Sequence, residues 1–566
     1  MTNKEVIALL EEIALLLDLS GESSFKSRAY TQVARQIESL EEPIETVVQE
    51  KRLRELKGVG DALEQKITEF VLNGTLEYHQ TLRNKFPDTL FDLFGIPGLG
   101  PKRIKQVYDE LQIQSLEELE YACEDGSLAA LKGFGPKMLD KLQRGIQFAR
   151  LHVGQHLFDK AYVEAMRIQT LLKQEPSIIR IDIAGSLRRC KEVVKDVDIL
   201  CSSTDPESVM KRFVEDEYVV DITGHGETKS SVILSSGLSA DLRVVSDEQF
   251  PYALAHFTGS KEHNVVMRQR AKERNLKLNE YGLFKGEDNL SSDTESDIYA
   301  KLDLPFIPPE IREDRGEFSL EETPKLLEIN DLKGVIHCHS TYSDGQNSMI
   351  DMAQCAQEIG YEYLTITDHS QSAGYAGGLQ PYRVEQQHRE IEKLNANFDN
   401  FQLIKGIESD VKADGSLDYE DSILNTFELI IASVHSNLNM SEEEATTRVV
   451  KAIEHPKTNI LGHPTGRLLL KRKGYTLNFE QIFDACVANG VAIEINANCR
   501  RLDLDWRYVR QARDKGIKLC ISPDAHSTSA IDFMKYGVGI ARKGWLNAED
   551  VLNNLSATEF IQWCQK

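Results

Sequence analysis

The sequence predicts a multidomain chain: an all-α amino-terminal region, a mixed α+β middle and a carboxy-terminal α/β unit. Three observations lead there. A Gly-x-Gly turn followed by an apolar-periodic helix occurs three times before residue 150. The middle carries four strand-like runs, one holding a Gly-Ser turn at its end and another an Asp-x-Asp pair. After Lys333, seven short apolar runs alternate with helical segments. A length of 566 residues is consistent with roughly three to five domains at about 150 residues each. With 41% apolar and 28% charged residues, the composition excludes a largely disordered chain.

In the first third, Ile7, Leu10, Ile13, Leu16 and Leu17 recur at helical spacing, as do Leu63, Ile67, Phe70 and Val71. The repeated turns are Leu56-Lys57-Gly58-Val59-Gly60, Ile96-Pro97-Gly98-Leu99-Gly100 and Leu131-Lys132-Gly133-Phe134-Gly135. Glu5, Glu11, Glu12 and Asp18 interrupt the amino-terminal apolar pattern, which argues against a targeting peptide. No run approaches the roughly 18 apolar residues of a membrane span. Nine scattered cysteines without a CxxC pair fit a reducing cytoplasm. A formal charge of −24, from 90 acidic and 66 basic side chains, counts on its face against nucleic acid.

The middle third reads as strands over 178–184, 197–201, 231–234 and 241–245. Asp196 and Asp198 fall on one strand face because side chains alternate with period two. With Asp241 they form three carboxylates suited to two divalent ions about 4 Å apart, the arrangement for in-line phosphoryl displacement. The Gly185-Ser186 turn offers backbone N–H groups and a hydroxyl to a phosphate, and Arg188 and Arg189 add charge. Prolines 305, 308 and 309 and the charged stretch to Pro324 break the pattern and mark a linker.

Beyond it, apolar runs at 335–336, 363–367, 403–407, 429–434, 460–461, 491–495 and 518–522 indicate a parallel barrel or a doubly wound sheet. Nearly every run ends in a potential ligand: His337, His339 and then Asp344, His369, Glu408, His435, His463, Asp524 and His526. In a barrel these six histidines and three acids converge on one mouth. The mixed imidazole–carboxylate set suits Zn²⁺, Mn²⁺ or Fe²⁺, and nine ligands exceed two tetrahedral sites, which points to three ions. The Gly374-Tyr375-Ala376-Gly377-Gly378 loop reads as a mobile lid or a guide, and Arg500 and Arg501 as candidate phosphate clamps.

Gly185-Ser186-x-Arg188-Arg189 followed by Asp196-x-Asp198 resembles the nucleotidyltransferase signature of family X DNA polymerases, and His256-Phe257-Thr258-Gly259-Ser260 with Asn264 and Arg268 resembles that family's thumb. The resemblance implies that Asp196, Asp198 and Asp241 hold two Mg²⁺ or Mn²⁺ ions and that Gly185, Ser186 and Arg189 receive the triphosphate. It further implies that Phe257 and Gly259 flank the sugar, Asn264 contacts the base and Arg268 the template. Three positions depart from the family pattern: His256 stands for a Tyr, Lys195 for a Gly, and Ser239 for the Arg of animal members. The three Gly-x-Gly turns resemble helix-hairpin-helix elements, in which Gly58, Gly60, Gly98, Gly100, Gly133 and Gly135 present backbone amides to DNA phosphates. A grip made of amides needs little net positive charge, which partly answers the acidic composition. The stretch 58–70 resembles the family's small lyase domain, placing Lys66 at the Schiff-base position with Lys26 and Tyr30 near a 5′-phosphate.

The region from about 333 to 566 resembles the PHP (polymerase and histidinol phosphatase) superfamily, and all nine of its ligand positions are present. The resemblance therefore implies a lyase-like domain (1–80), fingers (81–150), a nucleotidyltransferase palm with a mixed sheet (151–245), a thumb (246–315), a linker (316–332) and a distorted (β/α)7 PHP barrel (333–566). It implies gap filling on primed DNA with dNTPs in base excision repair, a metal-dependent 3′→5′ exonuclease, an abasic-site endonuclease, and a cytoplasmic monomer. The competing expectation is a histidinol-phosphate-type phosphatase with a vestigial amino-terminal region.

Overall fold

The computed structural model describes residues 3–38, 40, 42–96, 98–151 and 154–565. The chain falls into two units, one built on residues 1–153 with 470–472 and the other on the remainder.

The first unit is helical. Val6, Leu10, Ile13 and Leu17 of the helix Asn3–Leu19 are buried in one core with Val33 and Ile37 of Ser24–Glu38 and Leu63 and Ile67 of Asp61–Asn73. A second core gathers Ile104, Val107, Leu119, Phe134, Leu142 and Ile146. The leading glycines of the three turns, Gly58, Gly98 and Gly133, have φ of +99°, +99° and +94°, a region closed to most L-residues. Gly60 and Gly100 are the N-caps of Asp61–Asn73 and Pro101–Leu111, and neither helix start has a side-chain cap. Their first-turn N–H groups are therefore left for another acceptor. Pro97 of the second turn lies outside the described residues.

In the second unit, strands β1 (His156–Leu157) and β3 (Val193–Val194) pair antiparallel. Strands β2 (Ile178–Ile183), β4 (Asp196–Ser203), β5 (Val219–His225), β6 (Lys229–Leu234) and β7 (Ser239–Val245) form a mixed sheet in the order β2-β4-β7-β6-β5. Only β4 and β7 run parallel. Strand β5 has no counterpart among the expected strands. It is an edge strand whose Val220 and Ile222 stay exposed, so no burial alternation marks it in the sequence. The helices Phe250–Thr258 and Lys261–Glu273 precede a small antiparallel sheet of β8 (Lys277–Asn279), β9 (Gly282–Lys285) and β10 (Asp288–Asn289).

Strands β11 (Gly334–Cys338), β12 (Tyr363–Ile366), β13 (Gln402–Asp410), β14 (Leu429–Ser433), β15 (Ile460–Leu461), β16 (Ala492–Asn496) and β17 (Leu519–Ser522) lie in sequential order, all parallel. A bridge between Cys338 and Ala525 brings the first and last strands together. Sequential order with approximating ends is a barrel; a doubly wound sheet reverses its strand order part-way.

The segment 316–332, read as a linker, is a packed strap together with the residues before it. Ile307, Ile311 and Leu326 enter one core with Tyr252, Met267, Leu283 and Ile298. Arg312 is fully buried with a guanidinium nitrogen 2.6 Å from Glu295, and buried Glu317 lies 2.9 Å from His263. These charges are paired inside the protein, where an unpaired partner would be costly.

Two candidate metal centres and the residues around them

Parallel register places Asp198 opposite Asp241 and Asp196 opposite Ser239. Burial, reinforced by the charges of Asp196 and Asp241, pushes the Asp198 carboxyl up to about 6. Asp196 is also raised, by burial and then by Asp241. The ammonium of Lys229, on β6, lies 2.6 Å from Asp241. It supplies at this carboxylate the positive charge that Ser239 lacks. Repelling carboxylates that recruit a cation form a donor set that fits Mg²⁺ or Mn²⁺.

The glycine turn is built against these acids. Gly185 has φ +64°, and a Cβ there would fall 2.1 Å from Asp198 Oδ2. Arg188 is held 2.7 Å from Glu295 and donates to Thr258 Oγ1. Arg189 lies 3.0 Å from Glu313 and donates to the Thr258 carbonyl, and a Cβ at Gly259 would fall 3.1 Å from its guanidinium. The structure thus sets Gly185 against Asp198 and brings Arg189 and Gly259 together. Phe257 lies under Arg243, with 4.2 Å from guanidinium carbon to ring centroid. The Asn264 amide donates to the His256 carbonyl at 2.7 Å, and both residues line one small cavity with Arg268.

In the barrel, the nine expected ligands sit at or just beyond the carboxyl ends of β11, β12, β13, β14, β15 and β17. Donor atoms gather in three sets: His339, Asp344, His369 and His526; His337, His339 and Asp524; His369, Glu408 and His435. The fully buried Glu408 is the hub, with His369 Nδ1 at 2.9 Å, His463 Nε2 at 3.0 Å, His435 Nε2 at 3.2 Å and His337 Nε2 at 3.4 Å. Burial alone would raise its carboxyl, yet His435, His337 and His369 hold it well below the carboxylate range. Asp524 is likewise held low against burial, chiefly by His337. Burial and the neighbouring His526 and His369 lower His339 to about 3, whereas Glu408 and Asp410 overcome burial and raise His435 to about 10.

Backbone conformation adds strain at the same place. His337, His463 and Asp524 have φ of +70°, +21° and +51°, which L-residues adopt only where the surroundings impose it. His337 Nε2, His339 Nε2 and Glu408 Oε2 are buried without a hydrogen-bond partner. Orphaned imidazole and carboxylate atoms converging on one point fit a divalent metal cluster.

A surrounding shell escaped the sequence reading. Buried Glu494 lies 2.5 Å from His337 Nδ1 and accepts from the His463 amide; Asp410 pairs with His435 Nδ1; Asn496 donates to Asp524 at 3.1 Å. The signal available for Glu494 was an acid inside the apolar run 491–495. The two candidate clamps separate: Arg501 is half-buried with Nε 3.6 Å from Asp524, while Arg500 is exposed. The loop 374–378 is tied down. A Cβ at Gly378 would fall 1.9 Å from the Ser370 carbonyl, Ser372 bonds Asp410 and Asp418, and Arg383 donates to the Gly377 carbonyl.

In the first unit, Lys66 donates to the Tyr30 hydroxyl at 2.8 Å and lies 3.8 Å from the Tyr78 ring centroid. Lys26 is exposed and pairs with Glu22.

Comparison with known proteins follows this division. Family models match for a helix-hairpin-helix domain at residues 1–76, a SAM-like helix-hairpin-helix tandem at 91–147, the DNA polymerase beta thumb at 253–313 and the PHP domain at 336–498. The chain is 38% identical over 558 residues to the DNA polymerase/3′-5′ exonuclease PolX of Bacillus subtilis (strain 168), covering 98% of this chain and 97% of that protein. The chain belongs to the PolX family. The Repair DNA polymerase X of African swine fever virus is 29% identical and covers 27% of this chain and 95% of its own. A probable phosphatase of Thermoanaerobacter sp. (strain X514) is 23% identical over 39% of this chain and 91% of its own length. Likeness to PolX thus runs along the whole chain, whereas likeness to a phosphatase covers a minor part of it. No helix among the described residues is long and apolar enough to cross a membrane.

Proposed function

We propose that this PolX-family chain is a DNA-directed DNA polymerase that fills short gaps during base excision repair, and that its PHP barrel is a 3′→5′ exonuclease. The observation that carries the reading is likeness to a polymerase/exonuclease over 98% of the chain, with two separate carboxylate and histidine centres in one molecule.

In the polymerase centre, Asp196, Asp198 and Asp241 hold two Mg²⁺ or Mn²⁺ ions. When bound, these ions supply charge neutralisation for the attacking and leaving oxygens of nucleotidyl transfer. Gly185 and Ser186 bring backbone amides and a hydroxyl to the triphosphate, and Arg189 adds positive charge beside Gly259. Phe257 and Gly259 bound the sugar, Asn264 turns from the His256 carbonyl to the base, and Arg268 faces the template. The helix-hairpin-helix turns at Gly58, Gly60, Gly98, Gly100, Gly133 and Gly135 grip phosphates through amides, so substrate DNA binds without sequence preference.

In the barrel, His337, His339, Asp344, His369, Glu408, His435, His463, Asp524 and His526 hold three ions drawn from Zn²⁺, Mn²⁺ and Fe²⁺. When bound, such ions supply Lewis acidity toward a phosphodiester and acidify the attacking water. Glu494 and Asp410 fix the rings of His337 and His435, and Arg501 steadies the phosphate beside Asp524. The same centre acts on abasic sites, and Lys66 serves as a lyase nucleophile with Tyr30 and Lys26 at its side.

The test is a gapped-DNA assay of two double variants. Asp196→Ala with Asp198→Ala removes synthesis and spares the nuclease; His337→Ala with His339→Ala does the reverse. A folded double variant that loses both activities overturns the two-centre reading. Hydrolysis of histidinol phosphate without activity on primed DNA would establish the phosphatase instead.

A further inference from the structure

Tyr375 stands out among the residues around the barrel centre. Its ring centroid lies 6.1 Å from that of His369 and 6.4 Å from that of His435, both in the ligand set, yet the residue is 71% exposed. A large aromatic side chain at a metal centre normally gains by burial. Here the backbone that carries it is held in place. Gly377 takes φ +69°, Gly378 packs against the Ser370 carbonyl, and Leu379 pairs back across to Ser370. The Ala373–Ala376 turn closes on itself, and Ser372 is anchored to Asp410, the same carboxylate that orients His435. The loop that carries the aromatic ring is therefore tied to Asp410, a residue that orients one candidate ligand, His435.

A solvent-facing ring, on a tied-down loop beside a phosphodiester-cleaving centre, offers a nucleic-acid substrate a face for a nucleobase. Stacking is tolerant of base identity, which suits an exonuclease that must accept any sequence. It requires an unpaired base, so it selects single-stranded or frayed 3′ ends over paired ones. Resting on the exonuclease reading above, we propose that Tyr375 is the stacking platform for the 3′-terminal base and gives the nuclease its preference for unpaired ends.

Two measurements test this. The first uses metal-stripped protein, so that nothing is cleaved, and an oligothymidylate ending in 2-aminopurine. The wild type should quench the terminal 2-aminopurine on binding; Tyr375→Ala should abolish the quenching, and Tyr375→Trp should keep it. The second compares exonuclease kcat/KM on an oligothymidylate ending in thymidine with one ending in a tetrahydrofuran abasic nucleotide. Tyr375→Ala should slow the thymidine end by roughly 5- to 150-fold and leave the abasic end unchanged, because only the former has a base to lose. Equal losses on both ends, or no loss on either, overturn the proposal. If the metal-loaded wild type cleaves neither end, the exonuclease reading itself fails and this inference falls with it. The melting temperature of Tyr375→Ala should match that of the wild type, since the side chain is exposed.

Discussion

The ammonium of Lys543, at the end of the barrel helix Met534–Lys543, lies 2.6 Å from a carboxylate oxygen of Glu313 and donates to the backbone carbonyl of Arg189 at 2.8 Å. Glu313 also receives Arg189 and Lys191, each at 3.0 Å. Burial lowers the Lys543 ammonium to about 8 against the pull of Glu313, and the three cations hold the Glu313 carboxyl down to about 2 despite its own burial. Nearby, the Trp506 indole donates to Glu192 at 3.0 Å. The barrel thus braces the turn that carries Arg189.

From this brace follows the first prediction. Lys543→Met leaves a buried carboxylate with one fewer partner and frees the Arg189 carbonyl. The KM for dNTP in gap filling should rise by roughly 10-fold, because small displacements of a positioning group are expensive. The exonuclease should stay within about two-fold of wild type on the same scale. Steady-state kinetics of both activities on one preparation checks it.

A second prediction concerns pH at Asp198. Its folded value of about 6 exceeds the ordinary 3.8, so its contribution to stability is present below pH 4 and lost as pH rises through about 6. Asn cannot ionise and escapes that loss. In chelator, the melting temperature of Asp198→Asn should match wild type near pH 4 and exceed it by roughly 1–3 °C at pH 7.5. Gap filling by the wild type should fall as pH drops below 6, where protons compete with the metal.

Gly185→Ala is the third. The added Cβ meets Asp198 Oδ2 at 2.1 Å, and the residue must keep φ at +64°. Moving either the turn or the carboxylate by about an ångström should cost on the order of 100-fold in polymerase kcat. The clash falls on Asp198 and on none of the histidines or acids at the barrel mouth, so 3′→5′ digestion of the same DNA should persist.

The fourth tests the shell around the barrel ligands. Glu494 and His337 lie 2.5 Å apart and fully buried, and the glutamate is the first of the charges that raise His337 against the effect of burial. Glu494→Gln should weaken metal retention by roughly 10- to 100-fold. Metal content after dialysis and the Mn²⁺ concentration for half-maximal exonuclease report the loss, while gap filling on the same protein stays intact.

Local pattern made much of this chain legible. Period-two alternation announced Asp196 and Asp198, and the positions of His337, His369, Glu408, His435, His463 and Asp524 at the ends of apolar runs announced the barrel mouth. Each of these signals lies within a few residues. Strand β5 was illegible because neither face of an exposed edge need be apolar. The packing of 316–332, read as a linker, and of Arg312 just before it was illegible because a charge pairs in space with residues distant in sequence: Glu295 lies 17 positions from Arg312, and His263 lies 54 from Glu317.

The amino-acid sequence by itself determined the inventory: three glycine turns, three aspartates, nine histidines and acids at the barrel mouth and the order of the modules. These are properties of residue type and short-range spacing, which backbone geometry converts directly into faces and turns. Tertiary structure alone decided which side chains meet across long separations. Lys229 on Asp241, Glu494 on His337, Lys543 on Glu313 and the exposed ring of Tyr375 beside His369 all depend on strand register and helix docking. Those contacts are selected by the packing of whole elements, and no local window of sequence contains them.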